Sequence, residues 1–149
     1  MSMENIAERS LHLSRTFNVP LKTMWEAWTI PEQIAVWWGP NGFTNTIHIM
    51  DFKVDGEWKL TMHGPDGQNY ANRSVFREII PFEKIVMEHF NPHFIATIKF
   101  TDLGNATLID WHSLFDTIEN FTIVVKTFKA DEGQKQNLDR LEMFFNPTV

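Results

Sequence analysis

Residues 43–115 repeat one pattern: a short run with two-residue alternation, closed by a tight turn, then another such run. Thr44, Thr46, His48 and Met50 alternate with Asn45, Ile47, Ile49 and Asp51. A Val54-Asp55-Gly56-Glu57 word of the Asp-Gly hairpin type follows. Trp58, Leu60 and Met62 then alternate with Lys59, Thr61 and His63, up to the turn Gly64-Pro65-Asp66-Gly67. Further strands are predicted over residues 70–79, 84–90, 94–101 and 106–115. They are separated by Ile80-Pro81, Asn91-Pro92 and Asp102-Leu103-Gly104-Asn105. Connections this short can join only antiparallel neighbours. The middle of the chain is therefore an antiparallel meander, and whatever flanks it must pack on that sheet.

The flanks have a different period. Residues 1–9 are polar and read as a frayed end. Residues 11–17 alternate as a first strand, ended by Asn18-Val19-Pro20. Leu21, Met24, Trp25 and Trp28 then fall at helical spacing, with Pro20 suited to the first helical position. Thr29 and Glu32 have capping-box spacing for a second short helix, for which Pro31 is the other candidate start. Ile34, Trp37 and Trp38 are its apolar residues and Gly39-Pro40 its stop. After residue 116, Ile118, Phe121, Val125, Phe128, Ala130, Gln134, Leu138, Leu141 and Phe145 keep spacings of three and four. One long helix is expected, bent near residues 131–133 where Gly133 lowers helix propensity. The β-branched run Ile123-Val124-Val125 leaves a non-helical reading of residues 117–129 open. A helix this long needs a partner surface. The concave face of a twisted sheet is the surface available.

With 149 residues the chain is expected to form one domain, over residues 10–146. It has no cysteine, so disulfides and thiolate chemistry are excluded, and a reducing cytoplasm is the expected location. The N-terminus lacks the apolar core of a signal peptide, and no apolar run nears the roughly 20 residues that span a bilayer. A net charge of −6, with 13 basic residues spread along the chain, disfavours nucleic acid as a partner. No phosphate-cradling, dinucleotide, nucleophile-elbow or zinc word occurs, and no cofactor is expected.

Strand, two short helices, about six to seven antiparallel strands and a long C-terminal helix is an order that resembles the helix-grip α+β fold of the START-like, or SRPBCC, superfamily. Local words narrow the resemblance. Arg15-Thr16-Phe17, Trp25 to Trp28, Trp37-Trp38-Gly39-Pro40, Asp51, Asp55-Gly56-Glu57-Trp58, Pro65-Asp66-Gly67, Glu78-Ile79, Phe115 and Leu138-Asp139-Arg140-Leu141 look like the branch named for the activator of the heat-shock-protein-ninety ATPase. The resemblance covers about residues 10–145. It implies a grip on apolar molecules between sheet and long helix, in some members with catalysis there and in the co-chaperones with protein contacts. Where many relatives carry Gly-Trp before the last word, this chain has Gly133-Gln134, an amide in place of apolar volume.

Adjacent helical residues point about 100° apart, so Trp37 and Trp38 cannot share a direction. One can face a cavity while the other packs; the plainer alternative is that both pack. Trp58, Leu60 and Met62 share one strand face, as do Ile109, Trp111, Ser113 and Phe115. If concave, these faces line the space under the helix, with Asn72, Ser74, Ser113, Gln134 and Asn137 as its polar groups and Leu138 and Leu141 closing it from the helix. Asp110 and His112 lie on one strand face, as an oriented general base or a solvated pair; alternation puts them outside. His89 and His93 have metal-like spacing, but Asn91-Pro92 between them denies the helix such a site needs. Glu88 is a candidate inward carboxylate. Glu78 and Asp51 are expected to pair with Arg73, Arg77 or Arg15, and Asp139-Arg140 to lie on a solvated helix face. The Gly39-Pro40 to Asn41-Gly42 turn is the expected mobile entrance. The leading functional reading is a binder of a small apolar or amphipathic molecule. An acid–base enzyme using the same cavity comes second and a protein-interaction module third. Ligand identity and oligomeric state stay open.

Overall fold

The computed structural model describes residues 6–90 and 92–146. Most of the expected frayed end (residues 1–5), and Asn91 of the expected Asn91-Pro92 turn, lie outside them. Residues 6–9 differ from the frayed expectation: Ile6–Arg9 is a 3-10 turn, and Arg9 donates a 2.6 Å hydrogen bond to the Phe115 carbonyl.

Seven strands form one antiparallel sheet: β1 (Ser10–Phe17), β2 (Thr44–Met50), β3 (Glu57–His63), β4 (Asn69–Ile80), β5 (Lys84–Phe90), β6 (Phe94–Asp102) and β7 (Thr107–Phe115). The order across the sheet is β1-β7-β6-β5-β4-β3-β2. Consecutive strands from β2 to β7 are neighbours, as their short turns require, and β1 closes the far edge against β7. Two register shifts, at residues 47–49 and 76–78, add local bend and twist. The β2–β3 connection is longer than an Asp-Gly hairpin. Asp55 takes the left-handed conformation (φ 67°), and its N–H and the Gly56 carbonyl pair with Phe76 of β4. A Cβ at Gly56 would lie 2.0 Å from the Asp51 carbonyl oxygen, which is why glycine stands there.

Helices α1 (Leu21–Thr29) and α2 (Pro31–Trp37) follow β1. Met24, Trp25, Ala27 and Trp28 are the buried face of α1, and Ile34 and Trp37 that of α2. The capping box does not form. Ile30 caps α2 and Pro31 is its first residue, while the Thr29 hydroxyl bonds back to the Trp25 carbonyl. Pro20 is likewise the N-cap of α1 rather than its first residue.

The single C-terminal helix is two: α3 (Ile118–Phe128) and α4 (Ala130–Phe145). The break falls at Lys129, in the left-handed conformation (φ 52°, ψ 48°), not at Gly133. The β-branched run is helical. Leu138 and Leu141 on α4 are almost fully buried, in one core with Ile85, Ile98 and Ile109 of the sheet. The architecture is the helix-grip α+β fold, with α4 as the gripped helix.

Candidate functional site

The six tryptophans converge. Trp28 meets Trp37 edge to face at 4.8 Å and Trp111 at 5.5 Å; Trp38 stacks on Trp111 (5.5 Å, 24°) and meets Trp58 at 5.0 Å. Trp25 joins through Phe100. The indole N–H groups of Trp28, Trp58 and Trp111 are buried without a hydrogen-bond acceptor among the described residues. Neighbouring ring faces are the weak acceptors that the edge-to-face packing offers them.

On one side of this array lies a cavity of about 310 Å³ between the concave sheet face and the C-terminal helices. Ten of the fourteen residues read from the sequence as cavity lining surround it: Trp38, Trp58, Leu60, Met62, Asn72, Ser74, Trp111, Ser113, Gln134 and Asn137. Trp37, Ile109, Leu138 and Leu141 do not. Each is at most 1 % exposed and packs in the solid core beside the cavity. The two adjacent tryptophans divide as helical geometry requires. Trp37 points inward and donates its indole N–H to the Ala27 carbonyl at 3.0 Å, while Trp38, just past the end of α2, walls the cavity. Val124, Phe128 and Ala130 complete the wall from the α3–α4 junction.

The turn after Trp38 is pinned. Arg140 on α4 donates to the carbonyls of Val36, Trp38, Gly39, Pro40 and Phe43, all within 3.0 Å. Asn137 accepts from Gly39 N–H and donates to the Trp37 carbonyl, and the Gln136 side chain takes the Asn41 N–H. Gly39 (φ 97°) lies so close to Met62 that a Cβ would sit 2.8 Å from its terminal methyl. The expected mobile entrance is thus tied to α4 by Arg140, Asn137 and Gln136. Arg140 is not on a solvated face, whereas Asp139 pairs with Arg15 at 2.8 Å. Spacing could not reveal this role, because a guanidinium that caps carbonyls leaves no periodic mark.

Gln134 donates Nε2 to the Trp111 carbonyl at 3.1 Å, and so ties α4 to β7 at the cavity wall. His89 lines the cavity and was not among the residues read as lining it. Its alternation with Ile85 and Met87 on β5 was the available signal, blurred by the apolar Val86 between them. Its ring stacks on Phe94 at 4.5 Å, and its nitrogens face the Pro92 carbonyl (Nδ1, 2.8 Å) and Asn72 Oδ1 (Nε2, 2.8 Å). Burial pushes its pKa down, and the Pro92 contact only partly offsets this. No other ionisable side chain lines the cavity among the described residues.

The remaining polar candidates face outward. Asp110 takes hydrogen bonds from Ser14 and His12 (both 2.6 Å), not from His112; burial raises its pKa, but those bonds outweigh it and hold the carboxyl low. Burial first, and the neighbouring His12 second, lower the His112 pKa. Glu88 is not inward. It bonds His93 (2.7 Å) and Arg77 (2.9 Å), which hold its pKa below the usual carboxylate value. Glu78 pairs with Lys84 and Asp51 lies nearest Lys53, rather than either meeting the expected arginines. No cluster suited to a metal ion occurs among the described residues.

Residues 18–146 match the model of the family described as Activator of Hsp90 ATPase homolog 1-like protein. The chain belongs to that family. Solved structures of similar fold include a protein of Arthrobacter aurescens (21 % identity, TM-score 0.90, covering 99 % of this chain and 91 % of that one). Another comes from Nitrosomonas europaea (21 %, 0.85, covering 95 % and 96 %). A third is the AHSA1 protein of Silicibacter pomeroyi (18 %, 0.74, covering 94 % and 99 %). At these identities they support the fold alone. No curated protein matches the sequence.

Proposed function

We propose that the protein binds a small apolar or amphipathic molecule non-covalently in the cavity between sheet and helices. The observation that carries this reading is a space of about 310 Å³ walled by Trp38, Trp58 and Trp111 and bordered by a few polar side chains. That volume is at the small end of ligand pockets, roughly 300–1,000 Å³, and the mix of apolar wall and sparse polar groups is typical of them. The outer sheet face favours the cavity over a protein-docking role. It carries ion pairs such as Arg73–Glu57, Arg77–Asp55 and Lys84–Glu78. The cysteine-free composition keeps a cytoplasmic location within this reading, and no helix among the described residues is long and apolar enough to cross a membrane.

The second reading, acid–base chemistry on the bound molecule, rests on His89, a buried histidine at the wall with a depressed pKa. Such groups concentrate at functional sites. Native mass spectrometry of gently purified protein, with biphenyl titrated against tryptophan fluorescence, tests the leading reading. A one-to-one adduct, and quenching that weakens in Trp58→Ala but not in His112→Ala, is the expected result. A folded protein whose affinity is indifferent to both substitutions overturns the cavity assignment. Turnover of a co-purified ligand that is lost in His89→Gln would favour the enzyme.

A further inference from the structure

The cavity wall carries three polar groups that the protein leaves unused. Ser74 and Ser113 are 5 % and 6 % exposed, and no described group bonds either hydroxyl. Gln134 is 7 % exposed and spends its amide N–H on the Trp111 carbonyl, while its Oε1 has no partner among the described residues. Buried polar groups are normally satisfied, and leaving one unpaired costs about 1–3 kcal/mol. Asn137, in the same wall, is fully used by Gly39 and Trp37. Among the serine, asparagine and glutamine side chains of the wall, the unpaired state is confined to these three; the indole N–H groups of Trp58 and Trp111 are the other unpaired groups there.

They are not scattered. Gln134 is tied to β7 at Trp111, two residues before Ser113 on the same strand face. Ser74 stands on β4 opposite His89 of β5, which is opposite Phe94 of β6, which is opposite Phe115 of β7. Three strand spacings, roughly 14 Å measured along the sheet, separate the two serines. Between them the floor is Met87, Ala96 and Phe94, with His89 beside Ser74 and both its ring nitrogens already engaged by Pro92 and Asn72. Polar groups thus stand at two ends of an apolar, ring-lined trough.

Resting on the reading of the cavity as a small-molecule site, we infer that its ligand is a neutral, flat, apolar molecule with a hydrogen-bonding oxygen at each end. One oxygen is received by Ser113 and Gln134, the other by Ser74. Gln134 Oε1 accepts only, so the oxygen at that end carries a hydrogen, as a phenol or alcohol does. A carboxylate or phosphate head finds no free cation in the wall: Arg140 is occupied by backbone carbonyls, and His89, whose pKa burial lowers, has both ring nitrogens taken up by the Pro92 carbonyl and Asn72 and only His93 among nearby titratable side chains. A fatty acid or phospholipid head would therefore enter the wall without a charge partner. The amide at residue 134 then has a role, as the acceptor at one end.

Four biphenyls and dodecanoate test this by tryptophan quenching and calorimetry at neutral pH. A satisfied buried hydrogen bond is worth about tenfold in affinity. The para,para′-dihydroxy compound should bind about tenfold more tightly than the monohydroxy one, and that more tightly than biphenyl. Para-phenylbenzoate and dodecanoate should bind more weakly than all three. Ser74→Ala and Ser113→Ala should each erase most of the gain from one hydroxyl, read in each variant as the ratio of hydroxylated to plain biphenyl affinity. Equal affinities for biphenyl and its hydroxylated forms, or tighter binding of either carboxylate, overturn the inference and leave the cavity reading standing. Failure of every probe, biphenyl included, overturns both. The ligand series decides in the unaltered protein, so it does not depend on the folding of any variant.

Discussion

Helices α3 and α4 lie end to end against the same cavity and are held in opposite ways. α3 is the more apolar, with Ile118, Phe121, Ile123, Val124, Val125 and Phe128 in eleven residues, yet it buries none of them fully, and Phe128 is 70 % exposed. α4 is mostly polar, yet it buries Gln134, Asn137, Leu138 and Leu141 and fastens the turn after α2 through Arg140. Anchorage follows from a helix having both an apolar stripe seated in the core and polar side chains that find backbone partners. Apolar content alone does not secure it. α4 acts as a wall and α3 as a cover whose apolar face is only half used.

The largest expected break in this contrast comes from the core stripe of α4. Leu141→Ala removes a side chain that is completely buried, and should cost about 2–5 kcal/mol in denaturant unfolding. Ile123→Ala on α3, nearly half exposed, should cost under about 1 kcal/mol. Comparable losses at the two positions would mean that α3 is as firmly seated as α4. Next comes Arg140→Met. It keeps much of the apolar stem but takes the guanidinium from five carbonyls, of which Trp38 and Pro40 keep a second donor, and about 2–3 kcal/mol should be lost. Arg140→Lys should recover little, because one ammonium cannot present the planar fork that serves both sides of the loop. Full recovery by lysine would reduce the contact to simple charge.

These residues also mark where the sequence was legible. Alternation and turns gave the strands and their order, because each signal is local and the pairing of short-looped strands follows from geometry. Helical spacing separated Trp37 from Trp38 in direction, and packing then decided which faced the cavity. Leu138 and Leu141 were placed one layer out of position: periodicity identifies a buried face but not whether core or void lies beyond it. Arg140 and Lys129 left no pattern at all. The first acts through backbone carbonyls that every residue possesses, and the second breaks a helix by a backbone conformation that lysine rarely takes. His89 was lost to a turn argument that was sound for metal binding but did not address its strand face.

A smaller effect separates the wall from the outer face by pH. His89 has a folded pKa below its unfolded value, so the unfolded chain takes up a proton first as pH falls. Its stability contribution is therefore whole above the ordinary histidine value of about 6.5 and is lost as pH drops toward the depressed folded value. His112 acts in the same sense, more weakly because it is more open to solvent. Glu88, Asp110 and Asp139 lose their contributions only below the ordinary carboxylate range, since their folded pKa values are lowered. Urea midpoints between pH 8 and pH 5 should fall in the native protein and fall less in His89→Gln. An unchanged slope in that variant would place the titration elsewhere.

The smallest expected effect concerns the joint between the two helices. Lys129 is at once the C-cap of α3 and the residue preceding α4, held at φ 52°. A left-handed conformation costs a residue with a Cβ roughly 1–2 kcal/mol, and glycine escapes this at the cost of greater unfolded-state entropy, about 0.5–1 kcal/mol. Lys129→Gly should therefore stabilise the fold by no more than about 1 kcal/mol. Lys129→Val, β-branched where φ is positive, should destabilise it by at least as much. Hydrogen exchange gives the sharper measure. α4 amides should exchange slowly in both variants, whereas α3 amides should exchange faster than those of α4 and should slow when a cavity ligand completes the burial of Val124 and Phe128. If α3 were as protected as α4 without any ligand, the joint would be rigid, and the difference between wall and cover would disappear.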